Sequence, residues 1–178
     1  MVLLFVGLAL TVLMVYITRQ LHLELSPEHY RRIMALLIPA YLLTNWVFTL
    51  FTRTPGECTV VLVPLRAYIK MLGWNVQTFA ELFQLLGGTW EGSAEPSLSP
   101  LVGVAQNIVL FLPFGFLLRA ANSRLSTGKI LLLGFVLSLF IESSQLIFKL
   151  GWFETDDIMH NVLGTYAGIR LYRRCIDE

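Results

Sequence analysis

The stretch ILLLGFVLSLFIESSQLIF, residues 130–148, decides the fold. It is nineteen residues long and its one charge is Glu142. As a helix rising about 1.5 Å per residue it crosses a hydrocarbon layer about 30 Å thick. Ser138, Glu142 and Gln145 stand at i, i+4 and i+7, which stacks them on one helical face. A long apolar segment that carries a carboxylate within such a face is a membrane helix with that face turned toward other protein.

The rest of the chain repeats the pattern. Apolar blocks at residues 2–18, 33–51, 104–118 and 157–172 join 130–148 to give five expected spans, with a long loop at 52–103. The expected fold is all-α: one domain, residues 1–178, forming a polytopic membrane bundle of about five transmembrane helices. The composition agrees, with 56% of the 178 residues hydrophobic and 14% charged, whereas soluble domains are nearer half apolar and a quarter charged. A net charge of +1, with no basic–aromatic stripe, zinc-type spacing or phosphate-binding glycine loop, sets nucleic acid aside as a partner. The first block has no basic residue before it, unlike a cleaved leader, and reads as a retained helix. A polar turn is expected at Leu21-His22-Leu23-Glu24. The next helix starts at Ser26-Pro27-Glu28, a cap, a proline in the first turn and an acid beside it.

Basic residues set the orientation. Arg19, Arg31, Arg32, Arg119, Arg124, Lys129, Arg170, Arg173 and Arg174 fall on one side, and Arg53, Arg66, Lys70 and Lys149 on the other. The richer side is cytoplasmic in a bacterial membrane, so the N-terminus is expected outside and the C-terminus inside. Within the extracytoplasmic loop, Pro64 opposes a continuous helix through 59–65. Phe79, Leu82, Phe83 and Leu86 recur at helical spacing, predicting an amphipathic helix between the second and third spans.

Polar side chains inside spans need compensation that lipid does not supply. Asn107 lies near the start of the third span, and Glu142 and Gln145 in the outer half of the fourth. Asp157, Asn161, Gly164 and Gly168 share a face of the fifth at i, i+4, i+7 and i+11, with Asp156 and His160 beside it. Arg53 closes the second span on the same side. In the expected topology all reach one depth near the outer leaflet. Arg53, Asn107, Glu142, Gln145, Asp156, Asp157, His160 and Asn161 are therefore the candidate ligand-binding residues. No cofactor is required, although Glu142, Asp156 and Asp157 offer oxygen ligands of the kind a divalent cation takes.

Three segments, Asn107-Ile108-Val109-Leu110-Phe111-Leu112-Pro113-Phe114-Gly115, Ser138 to Gln145, and Asp156-Asp157-Ile158-Met159-His160-Asn161-Val162-Leu163-Gly164, resemble the VanZ-like family in order and spacing. Thr49 to Arg53 and Val61 to Leu65 resemble its softer, earlier motifs. One departure stands out: family members often carry an arginine shortly before the acidic pair, where this chain has Gly151-Trp152-Phe153. Whatever that arginine does passes here to Lys149 or Arg53. The resemblance implies a part in low-level resistance to teicoplanin, a glycopeptide with a lipid tail.

Three readings stay open at this level. In the first, the polar site engages membrane lipid or another amphiphile, such as teicoplanin or a lipid-linked cell-wall precursor. In the second, an enzyme acts on a lipid-linked phosphate or amide, with Glu142, Asp156 or Asp157 as catalytic groups. In the third, the polar residues only join helices through hydrogen bonds.

Overall fold

The computed structural model describes residues 2–51, 55–56, 59–62, 64–65, 67–68 and 99–177. The candidate Arg53 and the amphipathic helix expected around residues 79–86 lie outside them. Helix α1 runs Val2–Glu24 and α2 runs Pro27–Phe51. Helix α3 follows at Ser99–Ala121, α4 at Thr127–Ile147 and α5 at Thr155–Tyr172, ending in a π-helical turn, Arg173–Asp177. Two two-residue strands, β1 at Val60–Val61 and β2 at Phe153–Glu154, pair in parallel.

The break between α1 and α2 is written in Ser26-Pro27. Pro27 opens α2, and Ser26 caps it by accepting the His29 N–H on its hydroxyl at 3.5 Å and the Tyr30 N–H on its carbonyl at 3.0 Å. The polar turn expected at Leu21 to Glu24 is instead the last turn of α1. Nothing there breaks a helix: no glycine or proline intervenes before Ser26, and isolated polar residues do not stop one.

The five helices fall where the five apolar blocks stand. Among the described residues three are long and apolar enough to cross a membrane: Pro27–Leu50, Pro100–Ala121 and Thr127–Ile147. Their outward faces are what lipid requires, with Leu36, Leu132 and Ile147 all exposed. Helix α5 is only 18 residues long and packs above all on α3. Gly164 and Gly168 of α5 and Gly115 of α3 make this possible. A Cβ on Gly164 would strike the carbonyl of Ile108, one on Gly168 the carbonyl of Leu112, and one on Gly115 the carbonyl of Thr165. The two backbones are thus in direct contact, the small-residue packing that replaces a hydrophobic drive inside lipid.

At the opposite end from the acidic residues, Tyr30, Met34, Phe116, Leu117, Ala120 and Tyr172 form a buried cluster joining α2, α3 and α5. Buried Arg119 closes the turn between α3 and α4 there, donating to the carbonyls of Ser123 at 2.9 Å and Leu125 at 3.0 Å and to the Thr127 hydroxyl at 3.3 Å. Arg119→Met fills similar space but takes the guanidinium donor from the Ser123 and Leu125 carbonyls, while the Thr127 hydroxyl keeps Arg173 at 3.2 Å. It should cost about 1–3 kcal/mol, read as a lower midpoint of thermal unfolding in detergent.

Candidate functional site

Helices α1 and α2 barely touch each other, and each leans on α3. Between them lies a cleft of about 670 Å³. Leu10, Leu37, Ala40 and Thr44 line it and are exposed, so they mark its mouth. Met14, Val109, Phe111 and Pro113 continue the apolar wall. The inner end is polar and closed, bordered by Asn45, Glu142, Gln145 and Asn161, each at most 3% exposed, with Gln106, Asn107 and Thr49 beside them.

Antiparallel connections explain why polar groups from four helices meet. Asn45 and Thr49 are near the end of α2, Asn107 near the start of α3, Glu142 and Gln145 near the end of α4, and Asn161 near the start of α5. The short link between α4 and α5, residues 148–154, brings the end of one and the start of the other to one level, and the end of α2 and start of α3 meet them there across the long segment 52–98.

Hydrogen bonds hold these groups in place. Tyr41 donates its hydroxyl to the Leu110 carbonyl at 2.6 Å and accepts from Asn45 Nδ2 at 2.6 Å. Asn161 Nδ2 donates to the Ser138 hydroxyl at 2.8 Å, and Gln145 Nε2 to the Thr49 carbonyl at 3.4 Å. The Glu142 carboxylate accepts the Glu154 N–H at 3.2 Å, which ties the cleft to β2.

Of the eight residues expected in one site, Asn107, Glu142, Gln145 and Asn161 border the cleft. Asp156 and His160 belong to a second arrangement. The Asp156 carboxylate accepts the N–H of Leu65 on one oxygen and that of Ala67, at 2.8 Å, on the other. His160 Nε2 lies 3.0 Å from the Tyr68 hydroxyl. Thr155 donates its hydroxyl to the Val61 carbonyl at 3.3 Å, and the Gly56 N–H reaches the Lys149 carbonyl at 2.9 Å. With the pairing of Val60 to Phe153 and Val61 to Glu154, these bonds clasp the chain following α2 onto the start of α5. Asp157 is half-buried in the same first turn and does not line the cleft. Glu142, Asp156 and Asp157 are not gathered as a ligand set: among the described residues no three acidic, histidine or cysteine side chains form a group able to hold a metal.

The sequence reading missed Tyr41, Asn45 and Thr49. They stand at i, i+4 and i+8 on α2, a polar stripe through an otherwise apolar span, and that spacing was the available signal.

Fold and cleft together define a class, a helical membrane protein whose bundle surrounds a pocket with an apolar mouth and a polar inner end. The chain belongs to the VanZ/LLP1 family, whose model matches residues 1–176. It is also similar to Protein VanZ of Enterococcus faecium, 33% identical over 66 residues. That match covers 37% of this chain and 41% of the Enterococcus protein. No solved structure matches the chain.

Proposed function

We propose that this VanZ-like protein is a multi-pass protein of the bacterial cytoplasmic membrane, N-terminus out and C-terminus in, that engages an amphiphile in the cleft. The amphiphile's tail lies between α1 and α2 and its head at the polar inner end. Nine basic residues against four support the orientation, and in it the ends of α2 and α4 and the starts of α3 and α5 belong to the outer side. The observation that carries the reading is one cavity whose exposed wall is apolar and whose buried end is polar. That is the distribution an acyl-tailed ligand requires.

A volume of about 670 Å³ falls in the usual range for small ligands, roughly 300–1,000 Å³. It takes a lipid or the tail of a larger molecule, not a whole glycopeptide. Engagement of teicoplanin, or of a lipid-linked wall precursor that teicoplanin competes for, therefore runs through the acyl part, and resistance follows from it.

Ala40→Trp tests this. Ala40 is exposed at the mouth, so an indole there obstructs the cleft without disturbing buried packing. Teicoplanin resistance conferred on a sensitive host should be lost while membrane insertion and thermal midpoint stay unchanged. Full resistance from a folded Ala40→Trp protein would refute the reading.

A further inference from the structure

The cleft is closed at its polar end and open at its side. Asn45, Glu142, Gln145 and Asn161 are at most 3% exposed, whereas Leu10 on α1 and Leu37 on α2 stand 59% and 41% exposed at the mouth. Depth can be read along α2. With about 1.5 Å of rise per residue, Asn45 lies about 9 Å from the end of α2 at Phe51, Ala40 about 17 Å and Leu37 about 21 Å. The mouth is therefore near the middle of a span that crosses about 30 Å of hydrocarbon. What faces it there is acyl chain, not water.

Helices α1 and α2 meet near the Ser26-Pro27 turn, where the Thr18 hydroxyl reaches Met34 Sδ at 4.0 Å and the His22 and Tyr30 rings lie edge to face at 4.9 Å. Away from that turn the cleft separates them, and α1 rests on α3: a Cβ on Gly7 would lie 2.8 Å from Val109 Cγ1. An apolar wall open sideways to hydrocarbon offers a neighbouring chain dispersion contacts without moving it out of apolar surroundings. We infer that the cleft is loaded from the side, out of the bilayer, and that its occupant is the acyl chain of an outer-leaflet lipid. This rests on the reading of the cleft as an amphiphile pocket and adds the source of the amphiphile and its route. A lipid of that leaflet already carries its tail at the depth of Leu37 and Ala40. A tailed glycopeptide reaches the same place after its own tail has entered the bilayer.

Photolabelling reads the occupant where it lies. Full-length protein is placed in nanodiscs of phosphatidylcholine, part of which carries a diazirine halfway along one acyl chain. After irradiation, adducts are assigned by peptide mass spectrometry. Val109 and Pro113, half-buried on α3 behind the mouth, should be labelled, together with exposed Leu132 and Val136 on the lipid face of α4. Ala40→Trp and Leu10→Trp obstruct the mouth from its two walls. Each should lower the adducts on α3 about tenfold, the factor that about 1.4 kcal/mol of obstruction brings, and leave those on α4 unchanged. Unchanged labelling of α4 shows that a variant is folded and inserted.

A second probe, octyl glucoside with a diazirine in its tail, is added from the water to discs of plain phosphatidylcholine. If it labels Val109 and Pro113 while the bilayer lipid labels α4 alone, loading from the bilayer is overturned and the amphiphile pocket stands. If neither probe labels α3, both readings fall. Labelling of α3 by the lipid that neither Ala40→Trp nor Leu10→Trp lowers also overturns the inference, because the chain then arrives by another path.

Discussion

Gly168→Ala is expected to prevent this bundle from forming its native packing, although it adds only one methyl group. In an ordinary helix interior the exchange is stabilising, by roughly 1 kcal/mol, because alanine is the better helix former. Here the new Cβ would fall on the Leu112 carbonyl oxygen and against the Phe116 nitrogen. Both are backbone atoms of α3, so no side chain can rotate aside. Relief requires moving α5 from α3, and with it Gly115 from Thr165 and Gly164 from Ile108. Overpacking of well-fitted interiors costs about 1–3 kcal/mol and sometimes more, and rigid backbone on both sides places this case at about 3 kcal/mol or beyond.

The molecule supplies its own controls. A Cβ on Gly103 or Gly128 meets nothing within 4 Å, so Gly103→Ala and Gly128→Ala should be neutral or slightly stabilising. The check is the monodisperse yield and thermal midpoint of all three variants in one detergent. A Gly168→Ala protein as stable as the two controls would mean that α3 and α5 do not touch backbone to backbone.

The close packing is legible in the sequence. Gly164 and Gly168 share a helical face with Asn161, and small residues four apart are a known device for bringing helices together in lipid. What could not be read was the partner, because Gly115 sits in an apolar run where a glycine has no periodic meaning of its own. The polar seams of α4 and α5 were likewise plain from spacing, and Ser138 of one does meet Asn161 of the other.

The acidic pair was harder. Side by side at a helix start, Asp156 and Asp157 look like catalytic or metal-binding carboxylates, yet Asp156 is occupied by backbone N–H groups some 90 residues away in sequence. No periodicity announces such a bond. Strands of two residues, as at Val60–Val61 and Phe153–Glu154, are too short for alternation to show. Asn45 went unweighed for a different reason: reading by charge favours carboxylates, whereas in this cleft neutral amides form most of the polar end.

Asp156→Asn should open the segment around Leu65 and Ala67 nearly as much as Asp156→Ala, and that local opening distinguishes a clasp from a catalytic or metal-binding acid. An ionised aspartate has two oxygens, both acceptors, and each receives one N–H, from Leu65 and from Ala67. Asparagine keeps the shape but replaces one oxygen with an NH₂ group, so one backbone N–H faces another donor. Hydrogen bonds to a charged group contribute about 1.5–3 kcal/mol each, and a buried N–H left without an acceptor adds its own penalty. Either substitution should therefore weaken the clasp by about 3 kcal/mol. The effect should be local. Amide exchange at Leu65 and Ala67 should accelerate by two orders of magnitude or more, and at Val61 to a lesser degree, because its strand partner Glu154 adjoins Thr155 and the released turn. Amides of α3 around Gly115 should keep their protection, since α3 meets α5 through glycine contacts that Asp156 does not share. If Asp156 instead served as a base or a metal ligand, Asp156→Asn would remove activity or ion binding and leave exchange at Leu65 and Ala67 unchanged. Hydrogen-exchange mass spectrometry with peptides spanning 59–68 separates the two outcomes, and unchanged exchange there would show that the carboxylate does not hold this segment.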